Sequence, residues 1–363
     1  MGTGGSRRIE DRLARRGGVV ELLRIPAALF GVVSTLRGAL YARGWLPSDK
    51  LEVPVVSVGN LTAGGTGKTP MVSWVVRALV ARGLRPGIVS RGYGTARGED
   101  NDEARALALE LPGIPHVQDP DRARGARTLG TSADVVVLDD AFQHRRLARD
   151  LDLVLLDATR PWGFPPEPER GAEDLGAFLP RGLLRESPRA LARAQAVCLT
   201  RTDQVAESAL EQLERRVLEL APGVPVLHSQ HRPRRLRCAR DGSSVELGDL
   251  AGRTVDLVSG IGNPAAFEAT VRALGAEVAE HRRFPDHHAF VPADLAGLGA
   301  EGRWVVATAK DAVKLEGASP ELHVLEVELA LTQGEQVLEA LLDALPVSRA
   351  ALERRALHGG LYG

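Results

Sequence analysis

The run Thr62, Ala63, Gly64, Gly65, Thr66, Gly67, Lys68 and Thr69 carries the residue types that phosphate binding requires. Glycines let backbone N–H groups converge on phosphate oxygens, a lysine reaches the β and γ phosphates, and a neighbouring hydroxyl can hold Mg²⁺. A buried-strand pattern, residues 53–58, precedes the run and a helical pattern, residues 69–82, follows it. That context aims a helix N-terminus at the anion. The run departs from the strict GxxxxGK[ST] spacing, because Thr62 stands at the first glycine and Ala63 at the lysine of the KGGxGK[ST] variant. Of 46 basic residues only four are lysine, Lys50, Lys68, Lys310 and Lys314. A chain that uses arginine nearly everywhere keeps lysine where a compact charge must fit between phosphates.

A bound nucleotide needs a metal ligand, and residues 135–140, Val-Val-Val-Leu-Asp-Asp, form an apolar strand that delivers Asp139 and Asp140 at its C-terminal end. A second strand ending at Asp157 has the same form but reads as structural, because only the first leads into the polar run Gln143, His144, Arg145, Arg146. For an acceptor and a base the candidates are Asp102 and the cluster Phe284-Pro-Asp-His-His288. An Asp paired with a His can take a proton from a hydroxyl, worth about 10²–10⁴ in rate. A surface turn is the competing reading of that cluster.

The elements that must position these groups are short β-branched runs alternating with helical patterns after Pro47. Strands are expected at 53–58, 86–90, 115–118, 134–138, 152–156, 196–200 and 224–227, with helices near 103–110, 122–129 and 205–219. Near-continuous apolar strands alternating with helices imply a parallel sheet covered on both faces. A second α/β segment opens at 254–259 and continues through a helix at 264–274 and a strand at 304–308. The expected organisation is a basic amphipathic arm at 1–47, a nucleotide-binding domain at 48–229, a hinge at 230–250, a second α/β domain at 251–345 and a loose tail at 346–363. The basic, proline-containing stretch 230–237 lacks interleaved aromatics, so it reads as hinge and not as a nucleic-acid patch.

Composition bounds the rest. With 363 residues, 44% hydrophobic and 26% charged, the chain suits two globular domains. Cys198 and Cys238 form no CxxC pair, which excludes a disulfide framework and a cysteine-built zinc site and points to an intracellular chain. The net charge of −1 hides an asymmetry: residues 1–50 hold nine Arg and Lys against four Asp and Glu, and the remainder 37 against 43. In the arm, Leu22, Leu29, Val33, Leu36 and Leu40 share one helix face, beside Phe30 and Tyr41. Its longest uncharged stretch, residues 25–36, is shorter than the roughly 20 apolar residues that span a bilayer. The arm is expected either to lie in the membrane interface or to pack on the protein's own body.

Together these residues resemble a known family. Residues 54–70, ending Gly-Asn-Leu-Thr-Ala-Gly-Gly-Thr-Gly-Lys-Thr-Pro70, resemble the tetraacyldisaccharide 4′-kinases of lipid A biosynthesis. So do 89–94, 139–150, 179–186, 259–262, Asp286-His287 and 308–314, in the family's order. The resemblance implies a P-loop NTPase-type parallel sheet with a second, smaller α/β domain and an N-terminal amphipathic helix. It implies transfer of the γ-phosphoryl of ATP, with Mg²⁺, to the 4′-hydroxyl of an acylated glucosamine disaccharide 1-phosphate. It also implies peripheral contact with an anionic membrane at the cytoplasmic face of the bacterial inner membrane, and no nucleic-acid partner. Residue by residue, Asp102 falls on the family's catalytic aspartate and His287 on its partner histidine. Thr69, Asp139, Asp140 and Glu186 fall on the metal side, and Arg122, Gln143, His144 and Arg185 line the cleft. The family shows Gly-Asp-Glu-Pro around the catalytic aspartate, where this chain has Asn-Asp-Glu-Ala. Because Asp102 and His287 lie on segments assigned to different domains, closure about the hinge is expected to complete the site. The rival class is a GTP-dependent switch or metallochaperone-like NTPase, suggested by Thr200-Arg-Thr-Asp203, which echoes the base-reading TKxD motif.

Overall fold

The computed structural model describes residues 17–92, 102–164, 176–286, 288–315 and 321–359. The chain forms two compact units, the larger from Arg16–Gln230 with Leu331–Gly363 and the smaller from His231–Ala330.

In the larger unit the strands are β1 (Val55–Asn60), β2 (Pro86–Ser90), β3 (His116–Gln118), β4 (Val135–Asp139), β5 (Leu151–Asp157), β6 (Ala196–Thr200) and the first part of β7 (Val226–Cys238). They hydrogen-bond in the order β7-β6-β5-β1-β4-β2-β3, every pair parallel. Every residue of β1, β2, β4, β5 and β6 is buried, as a sheet covered on both faces requires. One face packs Val55, Val89, Val136 and Leu138 against Ala123, Ala126 and Leu129 of helix α4 (Arg122–Leu129). The other packs Val154, Leu156, Val197 and Leu199 with Leu213 and Val217 of α5 (Glu207–Leu220). Each such buried Val or Leu side chain stabilises the fold by about 1.5–3 kcal/mol relative to leaving it in water. Helix α2 (Lys68–Ala81) leaves β1, α3 (Asp102–Glu110) precedes β3, and Asp121 caps α4 by accepting from the backbone N–H groups of Ala123 and Arg124. Between β1 and β4 the strand order reverses direction, which opens the crevice where α/β sheets bind ligands.

The N-terminal arm is a helix from Gly18 to Ala42, of which α1 (Arg24–Ala42) is the α-helical part. At 25 residues it is long and apolar enough, by length and composition alone, to cross a membrane. The shorter uncharged stretch pointed the other way, because it stops at Arg37, which the continuous helix simply includes. Ala27 and Gly31 are buried, whereas of the expected apolar face Leu22, Leu29, Val33 and Leu36 are exposed, together with Val19, Ile25 and Val32, and Leu40 is half-buried. The arm thus packs on the protein through a small-residue seam, one of the two expected arrangements, and leaves a broad apolar face uncovered.

In the smaller unit β9 (Thr254–Ser259), β10 (Glu277–Arg283), β11 (Trp304–Thr308) and β12 (Leu322–Gln333) form a parallel sheet in the order β10-β9-β11-β12. Helix α6 (Pro264–Ala273) is capped by the Asn263 side chain and packs Phe267 and Val271 on Leu257 and Val306. Short turns α7 (Pro292–Leu295) and α8 (Ala309–Ala312) follow β10 and β11.

The boundaries differ from those expected. Residues 231–238, expected as hinge, are the second part of β7, paired with β8 (Ser244–Val245), and Arg235 and Arg237 are held by Glu326 of β12. Residues 331–345, expected in the second domain, belong to the larger unit, where α9 (Glu335–Asp343) is tied to Arg82 through Asp343. The expected loose tail is α10 (Arg349–Gly359), whose Arg354 pairs with Asp134, a carboxylate also held by Arg85.

Candidate active site

The phosphate loop leaves β1 at Asn60 and enters α2 at Lys68. Gly64 and Gly67 have φ of 110° and 89°, values that an L side chain rarely adopts, so the bend that turns backbone N–H groups inward depends on glycine. The loop is held from several sides. Asn60 Nδ2 donates to Thr66 Oγ1 at 2.8 Å, and Thr200 Oγ1 donates to the Thr66 carbonyl at 3.0 Å. The segment 183–185 runs alongside as a short ladder: the Ala63 N–H donates to the Leu183 carbonyl and the Arg185 N–H to the Leu61 carbonyl, both at 2.8 Å. Gly59 lies so close to the chain after β4 that a Cβ there would sit 2.6 Å from Phe142 Cβ.

Beside the loop, β4 ends in Asp139, buried, and Asp140, whose φ is 52°. Aspartate tolerates this left-handed conformation better than most residues, and strain of this kind collects at functional sites. The turn directs the Asp140 carboxylate to Arg185, whose guanidinium donates at 2.7 and 2.8 Å, and to Lys68 Nζ at 3.6 Å. Burial alone would raise its pKa, but the Lys68 and Arg185 charges hold it far below the ordinary carboxylate range. Asp140 is therefore an anion at any physiological pH. Arg122, also buried, donates to the Asp139 and Asp119 carbonyls. Burial lowers its pKa against the pull of Asp139 and Asp140.

Gln143 Nε2 donates to the Asn60 carbonyl at 2.8 Å and to Glu186 at 3.3 Å. His144 is kept neutral, its pKa lowered to about 4 by burial and by Arg122. Glu186, expected on the metal side, accepts from Arg193 at 2.7 Å, and that guanidinium lies 3.4 Å from the centroid of the Phe142 ring. Among the described residues no three His, Cys, Asp or Glu side chains are gathered as a metal cage. Thr69, Asp139 and Asp140 instead offer a few hard oxygens. That donor set fits Mg²⁺, which dehydrates reluctantly and usually takes one or two protein oxygens together with phosphate oxygens.

Asp102 opens α3 in the larger unit, and only its backbone is described. His287 lies outside the described residues; on either side, Asp286 pairs with Lys310 at 2.8 Å and the His288 carbonyl accepts from Lys314 at 3.3 Å, all within the smaller unit. The structure thus brings together the loop, Asp139, Asp140, Arg122, Gln143, His144, Arg185 and Glu186, and places Asp102 and the flanks of His287 on separate units.

With this geometry in hand, the comparisons with known proteins are specific. The sequence model described as tetraacyldisaccharide-1-P 4′-kinase matches residues 19–346. The chain belongs to that family. A tetraacyldisaccharide 4′-kinase of Anaeromyxobacter sp. (strain K) is 43% identical over 353 residues, covering 89% of each chain. One from Chromobacterium violaceum is 38% identical over 314 residues, covering 83% of this chain and 85% of its own. The crystal structure of an "apo" form of LpxK from Aquifex aeolicus in complex with ATP superposes with a TM-score of 0.66 at 29% identity, covering 90% of this chain and 99% of that one.

As a member of the tetraacyldisaccharide 4′-kinase family, the chain explains Thr200-Arg-Thr-Asp203 without a guanine base. Thr200 braces the phosphate loop, and Arg201, at φ 57°, is spent on buried Asp157 at 2.5 Å. Asp157 is structural, as its sequence context indicated. Sequence reasoning missed Arg193, Thr200 as a brace, and Arg181. Each acts through a contact with a segment far from it in sequence, Arg193 on the Phe142 carbonyl, Thr200 on the phosphate loop and Arg181 on Glu21.

Proposed function

We propose that this chain transfers the γ-phosphoryl group of ATP to the 4′-hydroxyl of a tetraacyldisaccharide 1-phosphate. The observation that carries the reading is the phosphate loop Thr62–Thr69 standing beside an ionised, doubly paired Asp140 in a chain of this family. Backbone N–H groups and Lys68 hold the phosphates, and Thr69, Asp139 and Asp140 are the groups that would hold Mg²⁺, which neutralises charge on the phosphate oxygens. Asp102 accepts the proton of the attacking hydroxyl as its oxygen bonds to the γ-phosphorus and ADP leaves, with His287 orienting the aspartate. Support for this pair comes from the residue pattern shared with the family. Arg122 and Arg185 offset charge at the transferring group.

An acceptor with four acyl chains lies in a bilayer, so the enzyme works at a membrane surface. The uncovered apolar face of α1 and the arginines preceding it suit peripheral attachment to the anionic cytoplasmic leaflet of the inner membrane.

The test is phosphate transfer from γ-labelled ATP to detergent-dispersed tetraacyldisaccharide 1-phosphate, wild type beside Lys68→Ala. A labelled, lipid-mobile product is expected with wild type and not with the variant. Label appearing only as free phosphate would mean an NTPase with a different acceptor.

A further inference from the structure

Helix α1 does more than expose an apolar face, because its other side is built into the loop that braces the phosphate site. Ser34 Oγ donates to the Arg185 carbonyl at 3.1 Å. One helical turn earlier, Gly31 lies against Phe178 so closely that a Cβ would meet the ring at 2.6 Å, and Phe30 meets the same ring in a tilted contact at 6.4 Å between centroids. Ahead of the α-helix, Glu21 accepts from the fully buried Arg181 at 2.6 Å, and Arg181 with Arg24 pulls the Glu21 pKa down to about 2. Farther along, Arg145 donates to the Gly38 carbonyl at 2.6 Å.

The segment that receives the Ser34, Gly31, Phe30 and Glu21 contacts, residues 177–186, is a closed turn. The Gly182 N–H donates to the Phe178 carbonyl at 2.9 Å and the Leu184 N–H to the Ala177 carbonyl at 3.0 Å. A Cβ at Gly182 would approach the Ala177 carbonyl oxygen to 2.1 Å, so the turn in this shape requires glycine there. Its far side pairs with the phosphate loop at Leu61 and Ala63, and its Arg185 side chain fixes Asp140. The residue whose carbonyl Ser34 engages therefore also carries the guanidinium that holds the carboxylate next to Lys68.

We infer that Ser34 and Glu21 are positioning residues for phosphoryl transfer, acting through the 177–186 turn on Arg185 and hence on Asp140 and the phosphate loop. The arm that meets the membrane is on this reading part of the phosphate site's frame, and removing its grip on the turn costs turnover even where no bilayer is present. The inference rests on the kinase reading above.

The experiment measures kcat, both KM values and vesicle partitioning for Ser34→Ala, Ser34→Thr and Glu21→Gln. Acceptor is dispersed in detergent, and vesicles of phosphatidylglycerol with phosphatidylethanolamine report membrane binding. Expected is a fall in kcat of about three- to ten-fold for Ser34→Ala, which loses the hydrogen bond, and for Glu21→Gln, which keeps an acceptor but loses the charge that strengthens its bond with Arg181. The KM for the lipid acceptor and vesicle partitioning should stay within two-fold of wild type. Ser34→Thr, which keeps the hydroxyl, should recover most of the loss. Unchanged kcat in both Ser34→Ala and Glu21→Gln overturns the inference, as does a loss that appears only as higher acceptor KM or weaker vesicle binding. Equal loss in Ser34→Thr and Ser34→Ala overturns it as well. Failure of wild type to phosphorylate the acceptor would instead defeat the kinase reading itself.

Discussion

At the scale of single residues, the chemistry turns on charges whose states are set by their neighbours. Asp102→Ala is expected to lower turnover by two or more orders of magnitude while nucleotide affinity persists, because a lost general base removes about 10²–10⁴ of rate without touching the phosphate loop. Single-turnover transfer beside nucleotide titration checks this; near-normal transfer would move the base elsewhere. Gly59→Ala tests the frame of the loop. The added methyl meets Phe142 Cβ at 2.6 Å and its backbone nitrogen at 2.8 Å, so β1 and the chain after β4 must separate. The expected cost is about 1–3 kcal/mol of stability, read by urea denaturation, with weakened ATP binding. His144 gives a pH signature. Unfolded, it takes its proton near pH 6.5, whereas in the folded chain it resists down to about 4. Between those values the unfolded state binds more protons, so stability falls as pH drops through that window and the loss is complete below it. Allowing for partial exposure, His144 accounts for about 1–2 kcal/mol. Ser and Gln cannot titrate there, so the difference in unfolding free energy between wild type and His144→Gln should shrink as pH falls from neutrality toward about 4. A pH-independent difference would contradict the buried neutral state.

At the scale of elements, what the sequence revealed follows from where each element sits. The central strands β1, β4, β5 and β6 are buried along their whole length, an environment that favours near-continuous apolar runs, so they were legible. Strand β10 is an edge of the smaller sheet with the sequence Glu-Val-Ala-Glu-His-Arg-Arg and no fully buried residue, and no apolar run marks it. The second part of β7 read as a hinge because its arginines and Pro233 look like linker; Glu326 on β12, nearly ninety residues away, is what accommodates them. The same distinction divides the site. The loop, Asp139 and Asp140 were readable from local spacing, whereas the Arg193 contact with the Phe142 carbonyl, the Thr200 brace and the Ser34 contact arise from long-range packing. Helix α1 offers a clean separation of its two faces. Leu29→Ser with Val33→Ser alters only exposed positions, so vesicle binding should weaken by about ten-fold or more while turnover in detergent is kept within about two-fold. Gly31→Leu should do the reverse, lowering turnover in detergent and leaving the outward face to bind vesicles.

At the scale of the whole molecule, the near-neutral net charge of −1 conceals a basic first fifty residues on a body that repels the same surface. Arginines at 7, 8, 12, 15 and 16 precede the helix that exposes Leu22, Ile25, Leu29 and Val33. Each arginine near an anionic leaflet contributes about 1 kcal/mol, and the apolar face contributes separately through burial in the acyl boundary. The two contributions respond differently to salt. Raising ionic strength from about 0.1 M to 1 M shortens the screening length from about 10 Å to 3 Å, which suppresses the arginine term and leaves the apolar one intact. Binding to vesicles containing phosphatidylglycerol should therefore fall with salt toward a floor, and that floor should match the affinity for neutral phosphatidylcholine vesicles. Leu29→Ser with Val33→Ser should lower the floor, and replacing the five arginines with Gln should flatten the salt dependence without lowering it. Cosedimentation over a salt series measures all three. Binding equally strong to neutral and anionic vesicles at low salt would remove the arginines from membrane attachment and leave the apolar face of α1 to account for it alone.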